Sequence, residues 1–432
     1  MNDNNQGFNH IKTPPPCSSS NRAFQDISTM KENFHLFTPT NAQKYFNQKN
    51  IFSLRKNYPK AGKSVLTGEW NAGSRFIANL DKVLTGWKAL SCLQVNLKIS
   101  QNRDLEKFFL TLKDRKDIHS LNLDFTYCTL NDEGVKRLAS SLKSLTSLSV
   151  LHLNFTQSGF VGDGSLKHVA LSIKTLKSLR EIRLSFSYCQ RITNYGLKKL
   201  GKAFKRLGLL EKLSLTFDKC IKIEDEGLKY LTGPLGQLPK LQTLNLHLYS
   251  CKKVTDAALE AISINLKTLK SLHYLSFQAS NLREITDLGL EKLSHNLQSL
   301  ASLSNLALSL YCCNNITENG VNHLASAIKT LHRLESLNLN FGCCGLISNH
   351  AFQNLFHEFG ALHSLSNLVL NLFSCDKLNN EGLESLQNSL KTLDSLRSVT
   401  LNLKACSNIQ REKKETFQGI FDFRKNLVFT VI

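Results

Sequence analysis

The segment LEKLSLTFDKCIKIEDEGLKYL at residues 210–231 contains the pattern that decides the fold. Numbered from its first leucine, it has apolar residues at positions 1, 4, 6 and 8, a cysteine at position 11, and leucines at positions 19 and 22. Positions 4, 6 and 8 alternate, which predicts a short strand with one buried face. Positions 19 and 22 lie three residues apart, which suits one face of a helix. The segment therefore predicts a strand, a turn and a helix.

The same pattern recurs with a period of 31 residues. Copies begin at Leu148, Leu179, Leu210, Leu241, Leu272, Leu303, Leu334, Leu365 and Leu396, with an earlier copy at Ile118 and a shorter, degenerate one at 92–99. In the ten copies from Ile118 onward, all forty residues at positions 1, 4, 6 and 8 are apolar, whereas the whole chain is 41% apolar. A fixed period between about 20 and 50 residues indicates a stacked solenoid.

The architecture expected from this period is an α/β solenoid of parallel strands spaced about 4.8 Å apart. Strands are predicted at 121–125, 151–155, 182–186 and every 31 residues thereafter. Hydroxyl side chains stand where each helix should begin, and acidic side chains occupy its first turn, as helix N-termini favour. These residues are Thr193, Thr255, Thr286 and Thr317, with Asp256, Asp287 and Glu318.

On these residues the repeat resembles the leucine-rich repeat, specifically its ribonuclease-inhibitor-like and cysteine-containing types. The resemblance covers about residues 92–410. It implies a horseshoe of about 10–11 repeats, with parallel strands inside and helices outside. The unit departs from both types because it is longer. Its cysteine is at position 11 rather than 9, since the strand carries an extra Phe-x pair.

The two ends of the chain differ from the repeats. Residues 1–60 contain five of the seven prolines and no sustained apolar period, so 1–85 is predicted to be a mostly disordered tail and the solenoid to occupy 86–410. Residues 411–432 are predicted to cap the last repeat, because a solenoid exposes its core at both ends unless it is covered.

The chain carries 54 Lys and Arg against 34 Asp and Glu, a net charge of +20, which points to acidic partners. No apolar run approaches the ~18 residues that cross a bilayer, and the polar N-terminus shows no secretory signal. Many unpaired cysteines indicate a reducing compartment. We therefore expect the protein in the cytoplasm, with the nucleus as the alternative.

Eight cysteines share position 11: Cys128, Cys189, Cys220, Cys251, Cys313, Cys344, Cys375 and Cys406. We predict a ladder of buried thiols, one per repeat, that act as small apolar side chains. No C-x-x-C pair exists in the sequence, so no zinc site and no cofactor is predicted. Cys312 and Cys343 each precede a member of the ladder, and oxidation of these two thiols is the less favoured alternative.

A row of lysines is predicted near the C-terminal ends of the helices, where positive charge is favourable. Its members are Lys143, Lys174, Lys205, Lys267, Lys329 and Lys391. The alternative is a basic ridge on the helical side that binds acidic partners.

Repeat positions 3, 5 and 7 should form the surface that leucine-rich repeats commonly use for binding. Only four of these thirty residues are charged, two of each sign: Asp124, Glu181, Arg183 and Lys212. Because a phosphate backbone needs basic residues along its path, nucleic acid is not expected on this surface. Tyrosines in successive repeats favour a protein partner. The predicted partner-binding residues are His152, Arg183, His247, Tyr249, Tyr274, Gln278, Tyr311 and Asn340.

Catalysis finds no support, since H-E-x-x-H, Gly-x-Ser-x-Gly and glycine-rich phosphate loops are all missing from the sequence. The sequence predicts a non-enzymatic scaffold or adaptor that binds a protein. One alternative is a substrate-receptor-like subunit of a ubiquitin ligase, although no F-box pattern precedes the repeats. Regulation of an enzyme, as in Ran GTPase-activating proteins and ribonuclease inhibitors, fits less well because those proteins are acidic. A further alternative is docking to RNA, tubulin tails or an anionic membrane through the lysine row and the basic tail.

Overall fold

The computed structural model describes residues 52–56, 64–69, 84–86, 90–97, 102–419 and 428–431. Fourteen strands form one sheet in chain order. The strands are β1 (Phe52–Lys56), β2 (Ser64–Glu69), β3 (Cys92–Asn96), β4 (Ser120–Asp124), β5 (Val150–Asn154), β6 (Glu181–Ser185), β7 (Lys212–Thr216), β8 (Thr243–His247), β9 (Tyr274–Gln278), β10 (Asn305–Ser309), β11 (Ser336–Asn340), β12 (Asn367–Asn371), β13 (Ser398–Asn402) and β14 (Val428–Val431). From β2 to β14 every pair is parallel, and β1 pairs antiparallel with β2.

A helix follows each strand from β3 to β13. The helices are α1 (Asn102–Lys113), α2 (Asp132–Leu142), α3 (Asp163–Ile173), α4 (Asn194–Phe204), α5 (Asp225–Thr232), α6 (Asp256–Leu266), α7 (Asp287–Leu297), α8 (Glu318–Ile328), α9 (Asn349–Phe359), α10 (Asn380–Lys391) and α11 (Arg411–Gly419). Helix α5 is shorter than its neighbours and continues as a 3-10 helix at Gly233–Gln237. Pro234 lies at the start of that segment, and proline has no amide hydrogen with which to continue an α-helix.

The register agrees with the 31-residue period and confirms the predicted solenoid. Leu213 of β7 pairs with Leu244 of β8, and the same spacing relates β9 to β10. Each strand begins one residue earlier than predicted, at Ser120 instead of residue 121 for example. Burial alternates along the strands, so positions 4 and 6 face the core while positions 3, 5 and 7 lie on the opposite face of the sheet.

The core is a set of columns in which the same repeat position is stacked on itself. Position 8 shows this most clearly, because Phe125, Phe155, Phe186 and Phe217 stack at centroid distances of 5.3, 5.4 and 5.7 Å, with rings nearly parallel. All four are fully buried. A single repeat leaves these rings exposed to water, so the apolar burial that stabilises the fold depends on the neighbouring repeat.

The threonines predicted at the helix starts are N-caps, and they also bind the preceding repeat. Thr286 accepts a hydrogen bond from the Leu288 amide and donates its own hydroxyl to Asp256 Oδ2 at 2.6 Å. The Thr286 amide donates to the other Asp256 oxygen at 2.8 Å. The pairs Thr193–Asp163, Thr255–Asp225 and Thr317–Asp287 repeat the contact with aspartate.

This aspartate lies close to position 18 of the next repeat, where glycine is common. A Cβ at Gly289 would lie 2.2 Å from Asp256 Oδ1, and one at Gly320 would lie 2.5 Å from Asp287 Oδ1. Either contact would require the aspartate to shift, and Ala258 shows that position 18 accepts a methyl group beside Asp225, which still binds Thr255. The first-turn acids therefore do more than interact with the helix dipole, because each one accepts hydrogen bonds from the next repeat.

All eight ladder cysteines are buried and unpaired by disulfides, which confirms the predicted ladder. The thiols also have a directional role, because each donates to a main-chain carbonyl of the preceding repeat. Cys220 Sγ lies 3.1 Å from Phe186 O, and Cys375 Sγ lies 3.3 Å from Phe341 O. Burial raises the pKa of these thiols, as for Cys189 to about 12, so they are inert at neutral pH.

One residue per repeat, at position 10, adopts the left-handed conformation with φ between 53° and 64°. Its amide donates to the position-9 carbonyl of the next repeat, as Lys219 N does to Tyr249 O at 2.7 Å. None of the ten residues is glycine: Tyr127, Gln157, Tyr188, Lys219, Ser250, Asn281, Cys312, Cys343, Ser374 and Ala405. Left-handed backbone is unfavourable for such residues by ~1–2 kcal/mol each, so the stack of repeats holds it in place.

The lysine row lies where it was predicted. Lys143, Lys174, Lys205, Lys267 and Lys329 are the C-cap residues of their helices, and Lys391 ends α10. All six are exposed.

The first end of the solenoid differs from the prediction. Strands β1 and β2 fall inside the segment 1–85, so two short parts of the tail predicted to be mostly disordered are strands of the sheet, and the prediction for the rest of the tail stays a prediction. β1 pairs antiparallel with β2 and so becomes the edge strand at this end of the sheet. Apart from 84–86, the rest of the predicted tail lies outside the described residues.

The other end carries α11 and β14. β14 pairs in parallel with β13, as the predicted cap requires, and Phe417 of α11 is buried. Residues 420–427 lie outside the described residues, so the role of 411–432 as a cap stays a prediction. Within the described ranges, no helix has the length and apolar character needed to cross a membrane.

The thiol ladder leads to a test at Cys220. Ser158 occupies position 11 in its own repeat, is fully buried, and donates to Phe125 O at 2.8 Å. A hydroxyl is therefore accommodated at this position. We expect Cys220→Ser to lower the free energy of unfolding by about 1 kcal/mol or less. Cys220→Ala removes both the donor and volume, and should cost about 1–2 kcal/mol. Urea denaturation would measure both, and a larger loss for Ser than for Ala would contradict a hydrogen-bonding role.

Deleting residues 411–432 tests the C-terminal end. The deletion removes β14 and the buried Phe417 ring, and so exposes the hydrogen-bonding edge of β13 and the core beneath α11. We expect a lower melting temperature and a greater tendency to aggregate, measured by calorimetry and light scattering. An unchanged melting temperature would mean that this segment does not cap the solenoid.

Candidate functional site

The face of the sheet opposite the core carries few charges. Apart from Asp124, those in its N-terminal half form one group around Glu181, here called the carboxylate cluster: Glu181 with His152, Arg183 and Lys212. Glu181 Oε1 lies 2.9 Å from His152 Nε2 and 2.8 Å from Arg183 Nε, and Lys212 Nζ approaches Oε2 at 3.8 Å. The side chain of Glu181 is only 16% exposed. Strands β5, β6 and β7 thus place three basic side chains around one carboxylate.

The surroundings of Glu181 keep it ionised. The hydrogen bond with His152, followed by the charges of Arg183 and Lys212, lowers the pKa of Glu181 to about 2 against the opposing effect of burial. His152 and Arg183 were predicted to contact a partner, and here both are engaged with a neighbouring side chain.

A second feature, the tyrosine groove, lies at the C-terminal ends of the strands in the middle of the sheet. Its volume is about 280 Å³. The residues that line it are Tyr188, Asp218, Tyr249, Ser276, Gln278, Ser280, Ala307, Leu308, Ser309, Tyr311, Asn338 and Asn340. Apart from Asp218 they are uncharged, so the groove combines aromatic rings with hydroxyl and amide groups.

One wall of the groove is built around Lys219. Its ammonium group lies 4.7 Å from the centre of the Tyr188 ring and 5.8 Å from that of Tyr249. Asp218 Oδ1 accepts the Tyr249 amide at 2.9 Å. Burial nevertheless raises the pKa of Asp218 to about 6, because the bonds from Tyr249 and Ser187 and the nearby lysine only partly offset the lost hydration.

The other wall is formed by Tyr311. Its ring leans over the next repeat onto Gly342, where an added Cβ would lie 2.8 Å from Tyr311 Cδ2. Cys343 Sγ donates to the Tyr311 hydroxyl at 3.4 Å. Gly342 leaves room for the ring, and Cys343 contacts its polar end, so the following repeat determines the orientation of this tyrosine.

The eight predicted site residues do not form one surface. Tyr249, Gln278, Tyr311 and Asn340 line the groove, while His152 and Arg183 belong to the carboxylate cluster. His247 is half-buried, and burial lowers its pKa to about 4, so it is neutral at pH 7. Tyr274, also among the predicted partner-binding residues, does not line the groove with Tyr249 and Tyr311.

The reason lies in the strand direction. Tyr274 is the first residue of β9, whereas Tyr249 and Tyr311 follow the last residues of β8 and β10. The length of the strand alone separates the two ends by roughly 13 Å. Consecutive repeats bring residues together only when they share a similar position in the unit.

Tyr188 and Asp218 are groove residues that the sequence reasoning missed. Tyr188 occupies position 10 and Asp218 position 9. The predicted binding surface consisted of positions 3, 5 and 7, with aromatic residues added at position 9. The tyrosine at position 10 was visible in the sequence. Its entry into the groove depends on the left-handed turn, which the repeat pattern did not reveal.

The site offers little for catalysis. Nowhere in the described part of the chain do three or more His, Cys, Asp or Glu residues gather as they would to hold a metal ion. His247 and Cys251, the nearest thiol–imidazole pair in the sequence, have different surroundings, because Cys251 is fully buried and donates to Phe217 O at 3.1 Å. The arrangement is suited to binding.

A family-model match supports the repeat. A family model described as a leucine-rich repeat matches residues 119–139, which span β4 and much of α2. The fold is a leucine-rich-repeat solenoid. No curated protein matches the sequence. Among solved structures, the solenoid is similar to a chain in the crystal structure of the Rad7 and Elc1 complex in yeast, with 17% identity over 83% of this chain and 88% of that chain, and a TM-score of 0.43. Membership in the ribonuclease-inhibitor-like or cysteine-containing type stays a prediction.

The pH dependence of the free energy of unfolding tests the carboxylate cluster. The pKa of Glu181 is near 2 in the folded protein and about 4.5 when unperturbed, so its contribution to stability is complete above pH ~4.5 and is lost as the pH falls towards 2. We expect Glu181→Gln to lower the free energy of unfolding by about 1–3 kcal/mol at pH 7. The difference from wild type should shrink between pH 5 and pH 3 in urea titrations. A difference that is constant with pH would show that the cluster is not electrostatically coupled.

Proposed function

We propose that this protein is a non-enzymatic interaction scaffold that binds a segment of a partner protein in the tyrosine groove. The observation that carries the proposal is the groove itself, in which three tyrosines from different repeats surround a strip of hydroxyl and amide groups. Tyrosine provides a rigid apolar ring together with a hydroxyl, and it is enriched among the residues that dominate protein interfaces. We also propose that the protein acts in the cytoplasm or the nucleus.

The groove also suggests the chemistry of the bound segment. Asp218 lies in the groove wall, and burial disfavours its charged form. In β8, next to Ser276 of the groove floor, Asn245 Oδ1 is shielded from water and has no hydrogen-bond donor among the described residues. Both groups accept hydrogen bonds. A partner segment that brings donors, such as a lysine, an arginine or free main-chain amides, would satisfy them.

Substitution of the groove tyrosines tests this function. We expect Tyr188→Ala, Tyr249→Ala and Tyr311→Ala in combination to abolish recovery of the main partner in affinity purification from cells. None of the three rings is in the buried core, so circular dichroism and the melting temperature should stay close to wild type. Asp218→Asn keeps the shape of the groove and should weaken a partner that supplies a positive charge.

Tyr274→Ala is the matched control, because this tyrosine lies on the same face but outside the groove. It should retain the partner that the triple variant loses. Equal loss in both variants, or retention by the triple variant, would overturn the proposal.

Docking to an acidic partner is the second candidate, and the structure favours one place for it. The loops that follow β6 to β9 contain six basic residues against three acidic ones, and we call this surface the basic edge. Its basic residues are Arg191, Lys219, Lys222, Lys252, Lys253 and Arg283. It holds more concentrated positive charge than the lysine row, which contributes one residue per helix.

Salt distinguishes the two candidates. Binding of RNA, a tubulin tail or an anionic membrane to the basic edge should weaken steeply between roughly 50 and 300 mM salt, because salt screens exposed charges over this range, whereas binding in the tyrosine groove should change little. Charge reversal at Arg191, Lys222 and Lys252 should then reduce binding more than the same change at Lys267, Lys329 and Lys391. A substrate-receptor role in a ubiquitin ligase would be one form of the scaffold proposed above.

A further inference from the structure

Cys312 and Cys343 stand apart from the thiol ladder. Both occupy position 10, in successive repeats, and both have left-handed backbones with φ of 57° and 61°. Both are half-buried, whereas the neighbouring Cys313 and Cys344 are fully enclosed. The repeat pattern does not require cysteine at position 10, since the other eight repeats carry other residues there.

Side chains at position 10 of successive repeats meet each other elsewhere in this protein. Asn281 Nδ2 donates to Ser250 Oγ at 2.6 Å, and the Lys219 ammonium lies 4.7 Å from the Tyr188 ring centre. The backbones of Cys312 and Cys343 are in the same relation, because the Cys312 amide donates to Gly342 O at 2.9 Å. Neighbouring parallel strands lie about 4.8 Å apart, and a disulfide needs a Cα separation of about 4.4–6.8 Å.

We propose that Cys312 and Cys343 are a redox-active dithiol site that forms a disulfide between two successive repeats by exchange with glutathione disulfide or another small disulfide. The site lies beside the tyrosine groove, because Cys343 Sγ contacts the Tyr311 hydroxyl at 3.4 Å. It is independent of the partner that the groove binds.

The exchange proceeds in two steps, in which atoms and electrons are conserved. The Cys343 thiolate attacks one sulfur of glutathione disulfide, and the S–S bond breaks to give a mixed disulfide and one glutathione. The Cys312 thiolate then attacks Cys343 Sγ and releases the second glutathione. The two protein thiols lose two electrons and two protons, and glutathione disulfide takes them up as two thiols.

The surroundings assign the order of attack. The contact with the Cys312 thiol, and then that with the Tyr311 hydroxyl, lowers the pKa of Cys343, while the same contact raises the pKa of Cys312. Thiolate is the reactive form, and Cys343 is the thiol whose sulfur lies within hydrogen-bonding distance of the Tyr311 hydroxyl, so Cys343 is assigned as the attacking residue and Cys312 as the resolving one.

The ladder supplies a matched internal control. Cys313 and Cys344 have the same 31-residue spacing and also lie in successive repeats. Their thiols donate to Ala279 O and Leu310 O at 3.0 and 3.1 Å, and burial raises the pKa of both. They should stay reduced under conditions that oxidise Cys312 and Cys343.

The test equilibrates the full chain with glutathione buffers of increasing disulfide fraction, blocks free thiols with an alkylating reagent, and maps tryptic peptides by mass spectrometry. Peptides 293–329 and 334–377 should appear joined and two hydrogen atoms lighter than their sum. Cys312→Ser should remove the joined species and leave glutathione on Cys343. The double variant Cys313→Ala, Cys344→Ala should still form it.

Two results would overturn the proposal. One is the absence of joined peptides in the wild-type chain at every glutathione ratio while circular dichroism shows a folded protein. The other is a joined species that survives in Cys312→Ser but disappears in the double variant, which would place the reactive pair in the ladder.

Discussion

Each repeat of this protein depends on its neighbour to complete its hydrogen bonds and to cover its apolar face. Three kinds of contact between neighbouring repeats show this dependence. Position-8 carbonyls accept the cysteine thiol of the next repeat, first-turn aspartates accept its threonine hydroxyl and amide, and position-8 rings stack on one another. Stability in such a chain accumulates through neighbour contacts, and no repeat is expected to fold alone.

The same dependence determines where functional side chains can lie. Core positions are mostly occupied by leucine and phenylalanine, and at four helix starts a threonine is held by an aspartate of the preceding repeat. The side chains available for binding a partner are therefore those on the exposed face of the strands and at the left-handed turns. At the C-terminal ends of the strands the tyrosine groove, the basic edge and the dithiol pair lie near one another, because the groove uses positions 5 to 10, the dithiol pair position 10 and the basic edge positions 10 to 13 of the repeats.

Charge is distributed unevenly over the molecule. The strand face has a single cluster, in which Glu181 is enclosed by His152, Arg183 and Lys212 and kept ionised. The excess of positive charge lies instead on the loops that follow the central strands and at the helix ends. The tyrosine groove, uncharged apart from Asp218, and the basic edge are therefore two candidate binding surfaces that differ in their dependence on charge.

The sequence alone determined the solenoid, the register of its strands to within one residue, and the burial of the cysteines, because apolar residues at a fixed period have only one way to bury a common face. It did not determine the strands β1 and β2, which lack the repeat pattern and are ordered by pairing with the sheet. The sequence predicted only some of the residues that line the groove. Tyr249 and Tyr311 were found, but Tyr274 lies at the opposite end of its strand, and Tyr188 and Asp218 reach the groove through turns whose left-handed backbone no local pattern specified. Which side chains meet was therefore decided by the stacking of the repeats, since contact depends on shared position in the unit and not on closeness in the chain.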